Sequence, residues 1–443
     1  MNVNPDLNNQ IKMASSSSST TEYARTPVPA SARVSGWRVA LIKLGIVIAL
    51  PGFVMGAQIG AALGLKLGSI SILIGGMMLM VMAGLTGTVA ARSGLSTSMI
   101  TQFAFGRLGG RFVNAILAAT LLGWFGVTAQ IFGESLQGVM ASLDLAVWPA
   151  QIYVVLGGAL MVATTIFGFS ALQRLSDFAI PLLLVVLLIA TYRSLQLRPL
   201  AGLLATNGPQ TGLGIGISAV VGGLATSICI FPDLCRFART PGGARLAAGL
   251  TFGLGMPFIL ILAAITSIVA GQHDIILILT TLGLGLPALL LLVFKAWATN
   301  SGNLYSASLG MATIFSRFSQ SRIVIGGGIV GVVLAALGIT THLIPFFLIL
   351  SITIPSIAGI YVADFFLLRG QRYDLEQLAT EPLISWLAFA AWGTGIAVAA
   401  MTTHKIMTLT GMPAADSILT SFGLYLFFKK LFGRRMMPTS ALV

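Results

Sequence analysis

Twelve times along its 443 residues this sequence runs for about twenty positions with almost no charge, and a spanning helix needs about that many apolar residues. A window pass predicts spans at 37–62, 68–91, 112–140, 147–169, 174–193, 213–232, 243–270, 286–313, 321–338, 341–367, 382–402 and 415–432. Hydrocarbon offers the backbone no water, so only helices or closed barrels can cross it. Barrel strands alternate apolar and polar residues. These runs are apolar all round, so the expected fold class is an all-α integral membrane protein.

Charge supports that reading and orients it. Only 8% of residues are charged, where a soluble domain carries roughly a quarter. The net charge of +13 could suggest nucleic acid, but its distribution points to a bilayer. With the N-terminus inside, 19 Lys and Arg fall on the cytoplasmic side and four (Lys66, Arg193, Arg198, Lys405) on the other. By the positive-inside rule both termini are expected in the cytoplasm, in a plasma or inner membrane. The remaining two, Lys43 and Lys295, lie within spans. Cys229 and Cys235 stand in or beside span six and imply no disulfide framework. Residues 1–36, with SSSSSTTEY, read as a disordered cytoplasmic tail without a signal peptide.

Loops are short, so function must be carried in the spans. A pair of Gly/Pro-interrupted spans at corresponding places in two halves points to a transporter site. Span one contains ALPGFVMGAQIG, with Pro51 and Gly52 in its interior. Span six contains VVGGLATSICIFPD, with Gly222 and Gly223 near its centre. Each opens one half of a 5+5 division. Such breaks expose backbone groups that can bind a ligand or ion in a protein-lined cavity. Packing by small residues is the plainer reading, and it suffices for Gly249 and Gly253.

Span eight breaks the apolar pattern differently, with FKAWATNSGNLYS. Lys295 stands about 14 Å along the helix axis at ~1.5 Å per residue, near half of a ~30 Å core. A charge at that depth costs at least ~2.5–3.5 kcal/mol, so such residues face the protein interior and carry function. Lys295, Ala298, Thr299 and Gly302 share one helix face, and Asn300 and Asn303 form a neighbouring pair. The alternative is that Lys295 is a counter-ion to Glu134 or Asp177. In span three, LLGWFGVTAQIFGE places Trp124 near mid-membrane, where its flat face can stack a planar ligand.

These residues resemble the bacterial cytosine permeases, within the nucleobase–cation symporters of the first kind. The resemblance covers about residues 27–435. It is carried by PVPASAR at 27–33, ARSGLSTSMITQFAFG at 91–106, GWFG at 123–126, FGFSAL at 167–172, PDLCRF at 232–237, WATNSGNLYS at 297–306 and IPSIAGIYVADFFL at 354–367. It implies a leucine-transporter-type inverted repeat of five plus five helices, with helices one and six broken and two helices added. The repeats are expected over 37–204 and 205–368, and the additions over 369–443. It also implies uptake of a nucleobase-like heterocycle by alternating access, with Trp124 stacking on the ring and Asn300 reading its polar edge.

Departures from the family pattern sharpen the expectation. Leu121 replaces a glutamine that hydrogen-bonds the base. The Ser-Phe-x-Ser of the span-six break becomes Gly223, Leu224, Ala225 and Thr226, so an aromatic slab is lost, which Phe53 could replace. A pocket with fewer polar partners disfavours cytosine, because an unpaired buried donor or acceptor costs ~1–3 kcal/mol. Sodium-coupled relatives bind the ion through carbonyls near Ala49 and Gly52 and through two span-eight hydroxyls. Here those positions are Ala298 and Thr299, and one hydroxyl is gone. Lys295 is expected to occupy or repel the sodium position. Burial disfavours a charged amine, so transport is expected to be proton-coupled or cation-independent, with sodium coupling as the alternative.

Other classes fit less well. An amino-acid permease of the same architecture would need span-one N–H donors where Pro51 stands. An intramembrane enzyme lacks a ligand or nucleophile set at depth, since His273, His342 and His404 all fall in predicted outer loops. A channel would show a charged ring or a filter repeat. No cofactor and no nucleic-acid partner is expected. Asp233 and Arg236 are expected to pair at the cytoplasmic end of span six.

Overall fold

The computed structural model describes residues 26–47, 50–167, 170–209, 212–271, 283, 285–312, 314–315 and 317–432. Over these residues the chain is helical, with two isolated bridges, Val34 to Ala238 and Gly64 to Asn207. Helices α1 (Gly36–Val47) and α2 (Leu50–Ser93) cover predicted spans one and two. Helix α3 (Thr97–Phe105) is a short connector, and α4 (Arg107–Ser142), α5 (Ala150–Phe167) and α6 (Ser170–Leu197) follow. Span six is divided into α7 (Leu213–Gly223), α8 (Ala225–Cys229) and α9 (Pro232–Cys235). Span seven comprises α10 (Pro241–Ala248), a π-helical turn at Gly249–Gly255 and α11 (Met256–Ala270). Next come α12 (Gly285–Ala312), α13 (Gln320–Ala336), α14 (Leu343–Thr353) and α15 (Pro355–Ala363), the last running into a π turn at Asp364–Leu368. Helices α16 (Trp386–Thr403) and α17 (Pro413–Phe432) complete the chain.

By length and composition, five described helical segments can each cross a bilayer, and a sixth is the pair α7 and α8–α9, bent by 54°. Three more apolar helices are shorter, at Ala150–Ile166, Pro181–Leu197 and Gln320–Ala336. The sequence places twelve spans over the same regions; that number is an expectation from hydropathy.

Packing sorts the helices into two groups. Helices α4, α5, α12 and α13 pack on one another, while α1, α2, α7, α10 and α11 form a second group built around α2. Helix α14 packs on α7, α8 touches α4, and α6 packs on both α11 and α12, so the divided span six is one of the places where the groups meet. Small residues allow the close approaches. A Cβ on Gly56 would meet the Leu260 backbone, and one on Gly60 would lie 2.7 Å from Ala264 Cα.

Two local features depart from the sequence expectation. The connection between spans one and two contracts to a single residue: Gly64, with φ of 74°, is the only non-helical position inside α2. A side chain there would strike the Thr206 carbonyl, so glycine is required twice over, by backbone and by space. Pro51 and Gly52, expected to break span one, follow closely on residues 48 and 49, which lie between α1 and α2 and outside the described residues. Residues 26–35, read as part of a disordered tail, tie the C-terminal end of α2 to the segment after α9. Val34 N–H donates to the Phe237 carbonyl at 2.7 Å, and Arg33 Nη1 donates to the Ala91 carbonyl at 2.9 Å.

One polar network is buried between α3, the π turn after α15 and α17. The Asp364 carboxylate accepts from Arg369 Nε at 2.7 Å, Tyr425 Oη at 2.7 Å and Tyr373 Oη at 3.1 Å. Arg369 also pairs with Glu381 at 2.7 Å and donates to the Phe103 carbonyl at 3.0 Å, joining α15, α17 and α3. Asp364→Asn keeps the shape but removes the charge and leaves acceptors short. It should cost about 1–3 kcal/mol, read as a lower thermal midpoint in detergent with substrate affinity unchanged.

Candidate substrate and ion site

The bend in span six follows from its two glycines. Consecutive glycines weaken a helix, and here both are also needed for space. A Cβ on Gly222 would strike the Phe347 carbonyl of α14, and one on Gly223 the Met55 sulfur of α2. The helix stops, Leu224 takes φ −114° and ψ 5°, and α8 restarts at Ala225. Thr226, buried in α8, then lies 2.6 Å from the Thr120 hydroxyl of α4. Thr120 spends its one proton on the Leu117 carbonyl at 2.7 Å, so Thr226 is the donor in the pair. The hydroxyls form a directed chain across the boundary between the two helix groups.

Trp124 stands one turn beyond Thr120 on the same face of α4. It is half-buried, as is Leu121 beside it. Two rings of α14 pack on it: Phe346 edge-on at 5.9 Å and Phe347 tilted by 31° at 5.6 Å between centroids. A planar ligand between two rings needs about twice the ~3.5 Å contact distance. Phe347 is therefore a support for the indole and not an opposing slab. Phe53, expected as the replacement slab, is buried in the hydrophobic core of α2, and Trp124's ring partners come from α14 instead. Half-buried Leu224, at the bend, is an aliphatic residue where the family pattern has an aromatic one.

Helix α12 divides its polar residues between faces. Asn300 is fully buried, and its Nδ2 donates to the Phe125 carbonyl at 3.0 Å and contacts the Met161 sulfur at 3.2 Å. Its Oδ1 has no hydrogen-bond partner among the described residues. Trp297 and Ser301 face α5, where the Trp297 indole donates to Thr164 at 3.2 Å and the Ser301 and Thr164 hydroxyls are 3.0 Å apart. Asn303 lies nine residues from exposed Phe294, about 180° around the helix. Asn303 is half-buried. Lys295, Thr299 and Asn303 follow i, i+4, i+8 spacing along that side. Lys295 is 3% exposed and engaged by a neighbouring group, and Ala298 is buried. Ala49 and the Asp177 side chain lie outside the described residues.

A second embedded amine, Lys43 of α1, is caged by aromatic rings. Its Nζ is 5.7 Å from the Phe231 centroid and 5.8 Å from that of Phe252, which the π turn presents. Asp233 is within electrostatic range of it. The Asp233 carboxylate accepts the Thr97 N–H at 2.7 Å, capping α3, while Arg236 Nε donates to the Asp233 backbone carbonyl at 3.2 Å. Asp233 thus tethers span six to the connector helix as well as facing Arg236. His342 and His404 are exposed, and His273 lies outside the described residues.

Sequence reasoning passed over Thr120, Phe346 and Phe347. Thr120 was within reach of it, four residues before Trp124 and so on one face. The phenylalanines carry no such signal, because span ten is apolar on every side.

Comparison with known proteins agrees with this architecture. A family described as permeases for cytosine/purines, uracil, thiamine and allantoin matches residues 27–421. The cytosine permease of Escherichia coli strain K12 is 31% identical over 382 residues, covering 85% of this chain and 88% of that one. A hydantoin permease of Microbacterium maritypicum is 25% identical over 434 residues, covering 90% and 86%. Among solved structures, the inward-facing conformation of Mhp1 superposes with a TM-score of 0.83 at 20% identity, covering 92% of this chain and 93% of that one. Mhp1 in a closed, bromovinylhydantoin-bound form, described as a nucleobase-cation-symport-1 family transporter, gives 0.77. The fold is thus that of the leucine-transporter type, and the chain belongs to the cytosine/purine permease family.

Proposed function

We propose that this nucleobase-type permease imports a planar heterocycle less polar or larger than cytosine, by alternating access between the two helix groups. The observation that carries the reading is Trp124: a half-buried indole beside the bend of span six, one turn from the Thr120–Thr226 hydroxyl pair. The indole offers a stacking face, and Thr226 offers hydroxyl lone pairs that can accept a ring N–H. Leu121, Gly223 and Leu224 surround this edge with apolar groups, in keeping with a ligand that has few polar atoms. Asn303 supplies a half-buried amide of α12, and Asn300 holds α12 to α4, with its spare Oδ1 available to a ligand donor. Gly52 and Phe53 are read as part of the lining, from the span-one part of α2.

In this reading the repeats run over 37–204 and 205–368, and both termini face the cytoplasm, supported by the Lys and Arg asymmetry. Coupling uses a proton or no cation, because Ala298 offers no side-chain oxygen to sodium and Lys295 places an amine one turn away.

A thermal-shift screen of the full-length protein in detergent tests the substrate class. The panel holds cytosine, uracil, adenine, allantoin, hydantoin, a 5-aryl hydantoin and several amino acids. A true ligand at a hundred times its Kd stabilises by about 2.7 kcal/mol, and at least one heterocycle larger than cytosine should do so. Stabilisation by an amino acid and by no heterocycle would make this an amino-acid permease.

A further inference from the structure

One face of α2 is lined for a ligand that the transport reading does not need. Met80, Val81, Gly84, Leu85, Thr88 and Arg92 follow i, i+1, i+4, i+5, i+8, i+12 spacing, and so lie on one side of the helix. With Arg245 of α10 and Phe366 from the π turn after α15, they line an open groove of about 360 Å³. From Met80 to Arg92 the groove extends about 18 Å at ~1.5 Å per residue. That is the run of an acyl chain from headgroup depth into the hydrocarbon.

The walls are apolar and one end is cationic. The Thr88 hydroxyl is spent on the Gly84 carbonyl at 2.7 Å, and Val81 is 53% exposed. Gly84 leaves bare backbone on the floor: a Cβ there would lie 3.7 Å from Arg245 Cγ, so the arginine stem rests directly over it. Arg92 and Arg245 are both exposed, and neither enters an ion pair among the described residues. The sequence places both at the cytoplasmic ends of their spans. An apolar channel leading to two unpaired guanidinium groups is complementary to a chain carrying one phosphate. Basic pockets between spans on this side suit acidic headgroups.

We propose that the groove is a binding site for one anionic phospholipid of the cytoplasmic leaflet. Its acyl chain lies along Met80, Val81 and Leu85 against Phe366, and its phosphate is held by Arg92 and Arg245. Because Phe366 follows α15 while the other walls belong to α2 and α10, the lipid touches three elements at once.

Native mass spectrometry of the detergent-purified chain tests this, with phosphatidylglycerol, phosphatidylcholine of the same acyl chains, and inorganic phosphate as separate arms. Wild type should retain one phosphatidylglycerol about tenfold more tightly than phosphatidylcholine. Arg92→Gln and Arg245→Gln should each weaken it about fivefold, and the double variant should bring the two lipids level. Arg322→Gln, an exposed arginine on α13, should change nothing. The single variants keep the test alive if the double variant does not fold. Equal affinity of wild type for both lipids, or an undiminished preference in both single variants, overturns the proposal. So does displacement of phosphatidylglycerol by inorganic phosphate, which would make this a free-anion site. None of these outcomes depends on which heterocycle is transported.

Discussion

Saturable uptake by a Trp124→Ala variant should fall to background, with equilibrium affinity for the transported heterocycle lowered about 5- to 150-fold. Stacking of one base on an aromatic side chain contributes ~1–3 kcal/mol, and here no second aromatic slab shares the load. Phe346 and Phe347 already lean on the indole at 5.9 and 5.6 Å, so they hold its plane without offering a slot of their own. Trp124→Phe retains a π-face and should recover most of the affinity. Trp124→Leu retains bulk without a face and should resemble alanine. Radiolabelled uptake and detergent binding on the same preparations separate stacking from packing. If leucine supports uptake as well as phenylalanine does, the indole is filler and the site lies elsewhere.

The contrast between Trp124 and the residues around it shows what the sequence can carry. Span positions were legible because hydrocarbon forces long uncharged runs into helices. The span-six bend was legible because Gly222 and Gly223 weaken the helix and admit the Phe347 backbone and the Met55 side chain. The break expected in span one at Pro51 and Gly52 adjoins residues 48 and 49, which lie outside the described residues. Gly64 was opaque, since a one-residue reversal depends on Thr206 and Gly208 packing over it from far along the chain. Within the site, Asn300 and Asn303 read as a pair. The rotation of α12 against α4 separates them, committing the buried Asn300 amide to Phe125 and leaving Asn303 half-buried. That rotation is set by the neighbours of α12, which no local pattern reports. The tail ordered through Arg33 and Val34 makes the same point, because its partners lie at Ala91 and Phe237.

In the proposed reading coupling turns on Lys295, and two substitutions separate the roles open to it. A pH gradient of one unit drives at most about tenfold accumulation per coupled proton, the equivalent of ~1.4 kcal/mol. Wild type in proteoliposomes should approach that ratio under an imposed proton gradient and show none under a sodium gradient of equal size. Lys295→Arg keeps the charge and the group that engages it, but a guanidinium does not release its proton in proteins. Gradient-driven accumulation should vanish while substrate exchange between equal pools persists. Lys295→Gln removes the charge altogether. If the amine were only a buried counter-ion, glutamine would strand its partner, cost about 3–5 kcal/mol and lower the thermal midpoint. If it is the proton carrier, glutamine mimics the neutral state, the midpoint holds, and coupling alone is lost. Accumulation that survives in Lys295→Arg, or that follows sodium in wild type, removes Lys295 from the transport cycle and leaves Thr299 and the carbonyls before Gly52 to hold an ion.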